Sequence, residues 1–283
     1  MSEQRLYAIV LRLAATRNGA IPANHGDQAR AALLNIIRAG NALFAQKLHD
    51  ENAHKPYTIS LLQGGKRGAD GALHFGEGDS AFWRFTLLCE PAFEALLQRY
   101  LLSRALPHVR IGAVSFAIMD AFASGMRHPD SGHISIAELT ERWTCEPETL
   151  PRQLLLDFRS PTAFSLGRDP QTGDYRYCSL PDARILFSSL RKRWAALGGI
   201  EPGDVFDEWV EANVETEPQS NLRTQTVIVE RRPVVGFTGR VRFTVRRDIC
   251  WLPLLHLLAD LTYWTGVGYQ PTRGMGQTRR LDV

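Results

Sequence analysis

The sequence predicts an α+β protein made of two tandem domains, each with the element order βαββαβ. Two observations support this prediction. The chain has 283 residues, a length at which a single hydrophobic core stops growing and chains divide into domains. In each half, short strand-like runs alternate with segments whose apolar residues recur at helical spacing. The composition, 44% hydrophobic and 22% charged, is that of an ordinary globular protein.

The first half begins with an apolar strand and continues with a helix. Apolar residues at 29, 33, 36 and 37 fall on one helical face, and a glycine follows. Further on, apolar alternation indicates strands, and a proline suits the first turn of another helix. The predicted elements are a strand at 6–15, a helix ending at Gly40, a short helix at 41–49, strands at 57–61 and 82–89, a helix from Pro91 and a closing strand at 109–119.

The second half repeats this order without a visible sequence repeat. Its predicted elements are a strand at 153–165, a helix at 181–197, strands at 224–230 and 234–246, a helix at 248–264 that is apolar nearly all round, and a last strand at 275–283. Turn-forming residues cluster between the halves, from Gly125 to Gly132. We therefore expect two ferredoxin-like domains, an N-terminal one at 1–125 and a C-terminal one at 134–283.

Positive charge is concentrated near the carboxyl end. The chain has 33 Lys and Arg against 30 Asp and Glu, and only four of the positive residues are lysines. Residues 223–280 contain ten arginines and three acids. A GC-rich genome would explain the arginine excess as well as contacts to phosphates would, but the clustering predicts a polyanionic partner.

A glycine-rich stretch, TGVGYQPTRGMGQTRR at 265–280, lies between the apolar helix and the last strand. Its glycines would let backbone N–H groups approach a phosphate, and its arginines supply charge. It has neither the strand-to-helix context of a dinucleotide fingerprint nor the lysine of a P-loop, and the alternative is a long turn that closes a domain. The residues expected to contact phosphate are Gly266, Gly268, Gly274, Gly276, Arg273 and Arg279.

In the strand that precedes this stretch, apolar residues alternate with Arg240, Arg242 and Arg246. The apolar residues would face a core, and the three arginines would share the opposite face. That face would bind a nucleic-acid backbone or simply be solvated. Arg231 and Arg232, at the adjacent hairpin turn, would extend the same basic surface.

Together these features resemble the CRISPR-associated endoribonucleases of the RAMP superfamily, which process precursor CRISPR RNA. The resemblance covers nearly the whole chain. It is carried by LFAQKLHDENAHKPYTISLL at 43–62, HFGEGDSAFWRFTLLCEPAFEALL at 74–97, VVGFTGRVRF at 234–243 and GVGYQPTRGMGQTR at 266–279.

The resemblance implies cleavage of repeat RNA without a metal ion or other cofactor. A ribose 2′-hydroxyl attacks the adjacent phosphate, leaving a 2′,3′-cyclic phosphate or 3′-phosphate and a 5′-hydroxyl. By their positions in the family motif, His49 at the end of the second helix transfers a proton, and Lys55 supplies positive charge at the phosphorane. Independently of the family, a helix C-terminus favours the imidazolium form of His49.

One departure from the family pattern concerns the first helix, where some members carry a tyrosine near the histidine. The corresponding stretch is LLNII at 33–37. His25 is our expected substitute for the second proton transfer, and His25 and His54 are the nearest rivals of His49 as the catalytic histidine. Otherwise the enzyme works with His49 and Lys55 alone, works slowly, or has lost cleavage. His256, in the apolar helix, is expected to be a core residue.

The expected partner is CRISPR repeat RNA, with subunits of a CRISPR effector complex as further candidates, and the protein is expected to be a monomer or homodimer. The four cysteines are far apart and predict neither a metal site nor a disulfide framework. The sequence has no long apolar stretch and no signal-peptide pattern, so we expect a cytoplasmic protein without membrane association. The alternatives are a non-catalytic RAMP subunit that holds RNA and, from a different class, an enzyme that binds a nucleotide cofactor at the glycine-rich stretch.

Overall fold

The computed structural model describes residues 4–50, 55–101 and 107–282, with the backbone alone at a few helix-terminal positions. No helix within these ranges is long and apolar enough to cross a membrane.

The chain forms two compact units. Met1–Ile134 and Thr272–Gly274 make up the first unit, and Ser135–Pro271 and Met275–Val283 make up the second. The first unit is therefore discontinuous in sequence, because three residues of the glycine-rich stretch belong to it.

The first unit contains a main sheet, a small accessory sheet and helices. Its helices are α1 Gly26–Gly40, α2 Ala42–Asp50 and α3 Glu90–Leu101. Its strands are β1 Arg5–Ala15, β2 Gly19–Pro22, β3 Tyr57–Ile59, β4 Gln63–Gly64, β5 Lys66–Arg67, β6 Ala72–Phe75, β7 Ser80–Leu87, β8 His108–Ile111, β9 Val114–Phe122 and β10 Gly132–Ser135, which ends at the boundary with the second unit. The main sheet has the order β3-β7-β1-β9-β8, which places the first strand of the βαββαβ motif between the third and the fourth.

The core of the first unit lies between one face of the main sheet and two helices. Alternate residues of β1 from Tyr7 to Leu13 share a buried cluster with Leu33 and Ile37 of α1 and Ala95 of α3. Burial of each large apolar side chain contributes about 1.5–3 kcal/mol, so this layer holds α1 firmly on the sheet. The predicted helix that ends at Gly40 is confirmed.

The closing strand predicted at 109–119 is wrong in one respect, because the chain forms a hairpin there. Strands β8 and β9 pair in antiparallel fashion with Ile111 opposite Val114. The turn passes through Gly112, whose φ of 59° suits glycine. Apolar residues continue on both sides of this turn, so their pattern in the sequence looked like one strand.

The second unit repeats the motif with additional elements. Its helices are α4 Ile136–Arg142, α5 Ala183–Ala196, α6 Asp204–Asn213 and α7 Leu252–Thr265. Its strands are β11 Gln153–Thr162, β12 Phe164–Arg168, β13 Tyr175–Cys178, β14 Val214–Pro218, β15 Arg223–Val229, β16 Arg232–Val245 and β17 Thr278–Leu281. The main sheet has the order β14-β16-β11-β17, again with the first strand of the motif between the third and the fourth.

The second strand of this motif is β14, whereas the sequence predicted the strand at 224–230. That predicted strand exists as β15, but it pairs only with the first half of β16, with Arg223 opposite Thr238. Strand β14 pairs with the second half of β16, with Val214 opposite Val245. The 14-residue β16 is long enough to pair with both. Strand β14, with the sequence VETEP, lacks the apolar alternation that predicts a strand.

The predicted alternation along β16 is confirmed. Val241, Phe243 and Val245 are buried, while Arg240 is exposed and Arg242 is half-buried. Helix α7 is buried on most sides, as its composition predicts. The sheet therefore has one face in the core and one face that carries charged residues.

Candidate functional site

The end of α2 is joined by a hydrogen bond to Lys55, which lies two residues before β3. Lys55 Nζ donates to the carbonyl oxygen of Leu48 over 2.5 Å. The last carbonyls of a helix have no partner within the helix, so the ammonium group satisfies one of them. It thus lies at the peptide group that links Leu48 to His49. The side chain of His49 and all of His54 lie outside the described residues.

His25, directly before α1, lies in the core of the first unit with no exposed surface. Its Nε2 accepts from the backbone N–H of Leu62 at 2.8 Å. The other nitrogen, Nδ1, therefore carries the proton and donates to the carbonyl of Pro22 at 2.9 Å. Burial lowers the pKa of His25 and keeps the ring neutral. With both nitrogens bonded, this side chain ties the start of α1 to the loop after β3.

Tyr57, the tyrosine nearest in sequence to the candidate pair His49 and Lys55, is a core residue as well. Tyr57, the first residue of β3, is buried, and its hydroxyl accepts from Nε of Arg30 in α1 at 3.1 Å. In α1, the stretch that corresponds to the family's tyrosine position has Leu33, Ile36 and Ile37 in the core. Neither feature supplies an exposed phenol at the end of α2.

The part of the glycine-rich stretch in the second unit is packed closely on its own backbone. Val267 N–H donates to the carbonyl of Gly276, and Gly276 N–H donates to the carbonyl of Pro161. Gly276 has φ 66°, and a Cβ there would lie 1.9 Å from the Val267 oxygen. Gly266 is also buried and Gly268 is half-buried. These glycines are thus explained by close backbone packing, and they do not form the open phosphate cradle that the sequence suggested.

Arg193 of α5 holds this stretch from the other side, and no sequence motif had singled it out. Its Nη1 donates to the carbonyls of Thr265 and Gly266, and its Nη2 to that of Gly268, all at 2.8 Å. Burial lowers the pKa of Arg193 to about 10, so the group stays charged at neutral pH. In the sequence, Arg193 could be recognised only as a residue of an amphipathic helix, a feature that it shares with many surface arginines.

Arg273 anchors the three residues of the stretch that belong to the first unit. It forms an ion pair with Asp27 in the first turn of α1, and its side chain is only 14% exposed. Its carbonyl group lies so close to Gly26 that a Cβ there would be 2.0 Å from the oxygen. Gly274 is buried in the same unit. Arg273 is therefore engaged with protein groups and has little surface for a phosphate.

The charged face of the second sheet carries carboxylates among its arginines. Asp157 of β11 lies directly opposite Arg240 of β16 on one side and Arg279 of β17 on the other. Arg242 has its Nη1 4.0 Å from a carboxylate oxygen of Glu217. The face is thus less basic than the strand sequence alone suggested, with Arg240 as its most exposed predicted contact.

The hairpin turn between β15 and β16 places two further predicted contacts on the surface. Glu230 and Arg231 have φ of 51° and 65°, as in a tight two-residue turn. Arg231 and Arg232 are both exposed. Their location confirms the predicted turn and leaves both guanidinium groups accessible.

His256 is a core residue, as predicted. Its Nδ1 accepts from Nη2 of Arg280 at 2.7 Å, so Nε2 carries the proton and donates to the carbonyl of Pro151 at 2.9 Å. Burial is the main cause that lowers the pKa of His256, to about 4. The ring is neutral at physiological pH and belongs to the packing of α7.

Comparison with known proteins shows similarity to one family. A model of the family described as CRISPR-associated endoribonuclease Cas6 matches residues 156–278. The solved structure of the Cas6 (TTHB231) product complex is similar over 98% of this chain and 100% of that one, with a TM-score of 0.78 and 26% identity. The chain thus resembles Cas6 endoribonucleases in sequence and in fold.

A second structure of the same Cas6 and one further Cas6 protein are also similar. A structure of Thermus thermophilus Cas6 (TTHB231) is similar over 99% of this chain and 100% of that one, with a TM-score of 0.71 and 25% identity. Cas6 of Mycobacterium tuberculosis (strain CDC 1551 / Oshkosh) is 28% identical over 152 residues, which are 51% of this chain and 43% of that relative. The match thus spans less than half the length of the curated relative. The Cas6 neighbours and the two sheets confirm the predicted α+β class with tandem ferredoxin-like folds.

Proposed function

We propose that this chain is an endoribonuclease of the Cas6 family, which cuts CRISPR repeat RNA within precursor transcripts and so yields guide RNA. The family description and the product complex of the similar Cas6 support this activity. The observation that carries the proposal is the hydrogen bond from Lys55 Nζ to the Leu48 carbonyl. This bond holds a cation at the peptide group between Leu48 and His49, and the type of His49 and its position in the family motif suit the proposed proton transfer.

In the proposed reaction, the ribose 2′-hydroxyl gives its proton to solvent water, and the 2′-oxygen attacks the adjacent phosphorus. The bond from phosphorus to the 5′-oxygen breaks, and that oxygen takes up a proton. His49, as imidazolium, donates this proton, and Lys55 stabilises the negative charge of the phosphorane. The products are a 2′,3′-cyclic phosphate or 3′-phosphate and a 5′-hydroxyl. Because side chains supply the proton and the charge, the scheme uses no metal ion.

The RNA-binding part of the proposal rests on the accessible arginines of the second unit. Arg231, Arg232 and Arg240 expose guanidinium groups that suit phosphate oxygens, and Arg242 and Arg279 lie beside them in sequence or register. The buried glycines and Arg273 act differently, by fixing the shape of the glycine-rich stretch. His25 likewise positions α1 and takes no part in proton transfer.

The test is incubation of the protein with end-labelled repeat RNA in EDTA. We expect cleavage at one position, with a downstream product that polynucleotide kinase labels without prior phosphatase treatment, because its 5′ end is a hydroxyl. Cleavage that requires added Mg²⁺ would contradict the metal-independent scheme. Tight binding without cleavage would contradict the enzymatic proposal and favour a non-catalytic RNA-binding subunit.

A further inference from the structure

A group of tyrosines and arginines lies on the second unit, around the small sheet formed by β12 and β13. These two strands pair only with each other, with Arg168 opposite Tyr175. The group is termed the arginine–tyrosine cluster, and its members are Arg168, Tyr175, Tyr177, Arg232 and Tyr269.

Two guanidinium groups share the ring of Tyr175. The Cζ atom of Arg168 lies 4.6 Å from the ring centroid, and that of Arg232 lies 4.7 Å from it. Nη2 of Arg168 also donates to the Tyr175 hydroxyl at 2.8 Å, which lowers the pKa of Tyr175. Within the described residues, neither arginine forms an ion pair with a carboxylate. Two neighbouring cations without counter-ions produce a positive potential that attracts an anionic ligand.

The ring of Tyr175 also contacts a second tyrosine and remains partly exposed. It stacks on Tyr177 with centroids 6.5 Å apart and planes inclined by 17°, and Tyr177 contacts Tyr269 at 5.0 Å. Tyr177 and Tyr269 pack against a small buried apolar cluster. Tyr175 itself is 37% exposed. The row of tyrosines therefore has one end packed in the protein and a partly exposed end with two guanidinium groups over its ring.

We propose that the arginine–tyrosine cluster binds an unpaired nucleotide of RNA, whose base stacks on Tyr175 and whose phosphates pair with Arg168 and Arg232. Single-stranded RNA offers both groups that this surface suits, because its base faces are free to stack and its phosphates accept from guanidinium groups. A base-paired duplex hides its base faces and cannot use the ring. The inference rests on the proposed binding of repeat RNA and adds that a nucleotide outside any duplex contacts this cluster.

The experiment compares affinities of the full chain for two labelled RNAs, an unstructured one of about 12 nucleotides and a duplex of the same length. We expect Tyr175→Ala to bind the unstructured RNA roughly 5- to 100-fold more weakly, the loss of one base stack, with unchanged duplex affinity. The matched control Tyr175→Phe keeps the ring and should bind like wild type. Arg168→Gln should reduce the salt dependence of binding by about 0.7 in the log–log slope.

Unchanged affinity of Tyr175→Ala for the unstructured RNA, or an equal loss for both RNAs, would overturn the inference. An unchanged salt slope for Arg168→Gln would overturn the proposed contact between Arg168 and an RNA phosphate. Cleavage of repeat RNA by the same preparations separates this inference from the proposed function. If all variants cleave and bind alike, only the inference fails, whereas a wild type that binds neither RNA overturns both.

Discussion

The guanidinium group of Arg193 donates a hydrogen bond to the carbonyl oxygen of Gly268 across 2.8 Å. The same group also bonds the carbonyls of Thr265 and Gly266, so one side chain of α5 fixes three peptide groups of the glycine-rich stretch. The planar fork of arginine suits this arrangement, and the ammonium group of a lysine cannot reproduce it.

We predict that Arg193→Lys loosens the glycine-rich stretch. The removal of hydrogen bonds from a charged donor should lower the free energy of unfolding by about 2–3 kcal/mol. Urea denaturation measures this loss, and faster amide exchange at Val267 and Tyr269 locates it. The neighbouring exposed Lys192→Ala is the control and should change neither. Exchange in Arg193→Lys at the wild-type rate would show that the stretch holds its shape unaided.

His49→Ala should slow single-turnover cleavage of repeat RNA by at least about a hundredfold, the lower range for loss of a general acid or base. RNA affinity should stay nearly unchanged, because the proposed role lies in proton transfer. His54→Ala, the rival a few residues further on, serves as the comparison. If His54→Ala is inactive and His49→Ala cleaves normally, the assignment has to move to His54.

Lys55→Ala should lower the cleavage rate more than RNA affinity, because the phosphorane carries more negative charge than the bound substrate. The single-turnover rate and the dissociation constant, measured at one salt concentration, separate the two effects. Thermal melting monitors the loss of the bond to the Leu48 carbonyl. The exposed Lys66→Ala is a matched control in the same unit. A loss confined to affinity would make Lys55 a backbone contact only.

The double variant Arg240→Ala/Arg242→Ala should bind RNA more weakly and with a shallower salt dependence. The log–log slope should fall by about 0.7 for each phosphate that the variant no longer neutralises. Most of the effect should come from Arg240, since Arg242 already lies near Glu217. Cleavage at saturating protein should stay near normal.

The variant Asp157→Asn removes the negative charge between Arg240 and Arg279 and should tighten RNA binding. If both variants show the wild-type salt dependence of RNA binding, this face of the sheet does not contact RNA.

Stability should fall as the pH falls from about 6.5 towards about 4, because the unfolded chain then binds protons that buried His256 does not. From pH 7 to pH 5 the expected loss from this residue is about 2 kcal/mol of unfolding free energy. His25, whose pKa is also lowered by burial, adds to the same slope. Urea denaturation at the two pH values should give a smaller difference for His256→Gln, which keeps a donor and an acceptor. An equal difference in this variant would place the titrating groups elsewhere.

Apolar periodicity was sufficient to predict the elements that bury a continuous face. Helices α1, α5 and α7 and the core side of β16 follow from residue types within one segment. Apolar periodicity did not predict elements whose formation depends on contacts between residues far apart in the sequence. Strand β14 forms because β16 offers it a pairing edge, and the hairpin at Gly112 interrupts a run of apolar residues that continues on both sides.

The sequence singled out the glycines of the terminal stretch as phosphate contacts, but glycine serves phosphate approach and tight backbone packing alike. Only the distance from Gly276 to Val267 decides for packing. The partners of the arginines could not be seen either, because Asp27 and Asp157 lie far from Arg273 and Arg240 in the sequence.

The inclusion of Thr272–Gly274 in the first unit has a consequence for synthesis on the ribosome. Domains generally fold as they emerge, starting from the N-terminus. Here the segment Met1–Ile134 emerges long before Arg273, so Gly26 and Asp27 remain uncovered until Arg273 has been synthesised. A nascent chain, or one cut short before Arg273, therefore exposes this surface to chaperones and proteases.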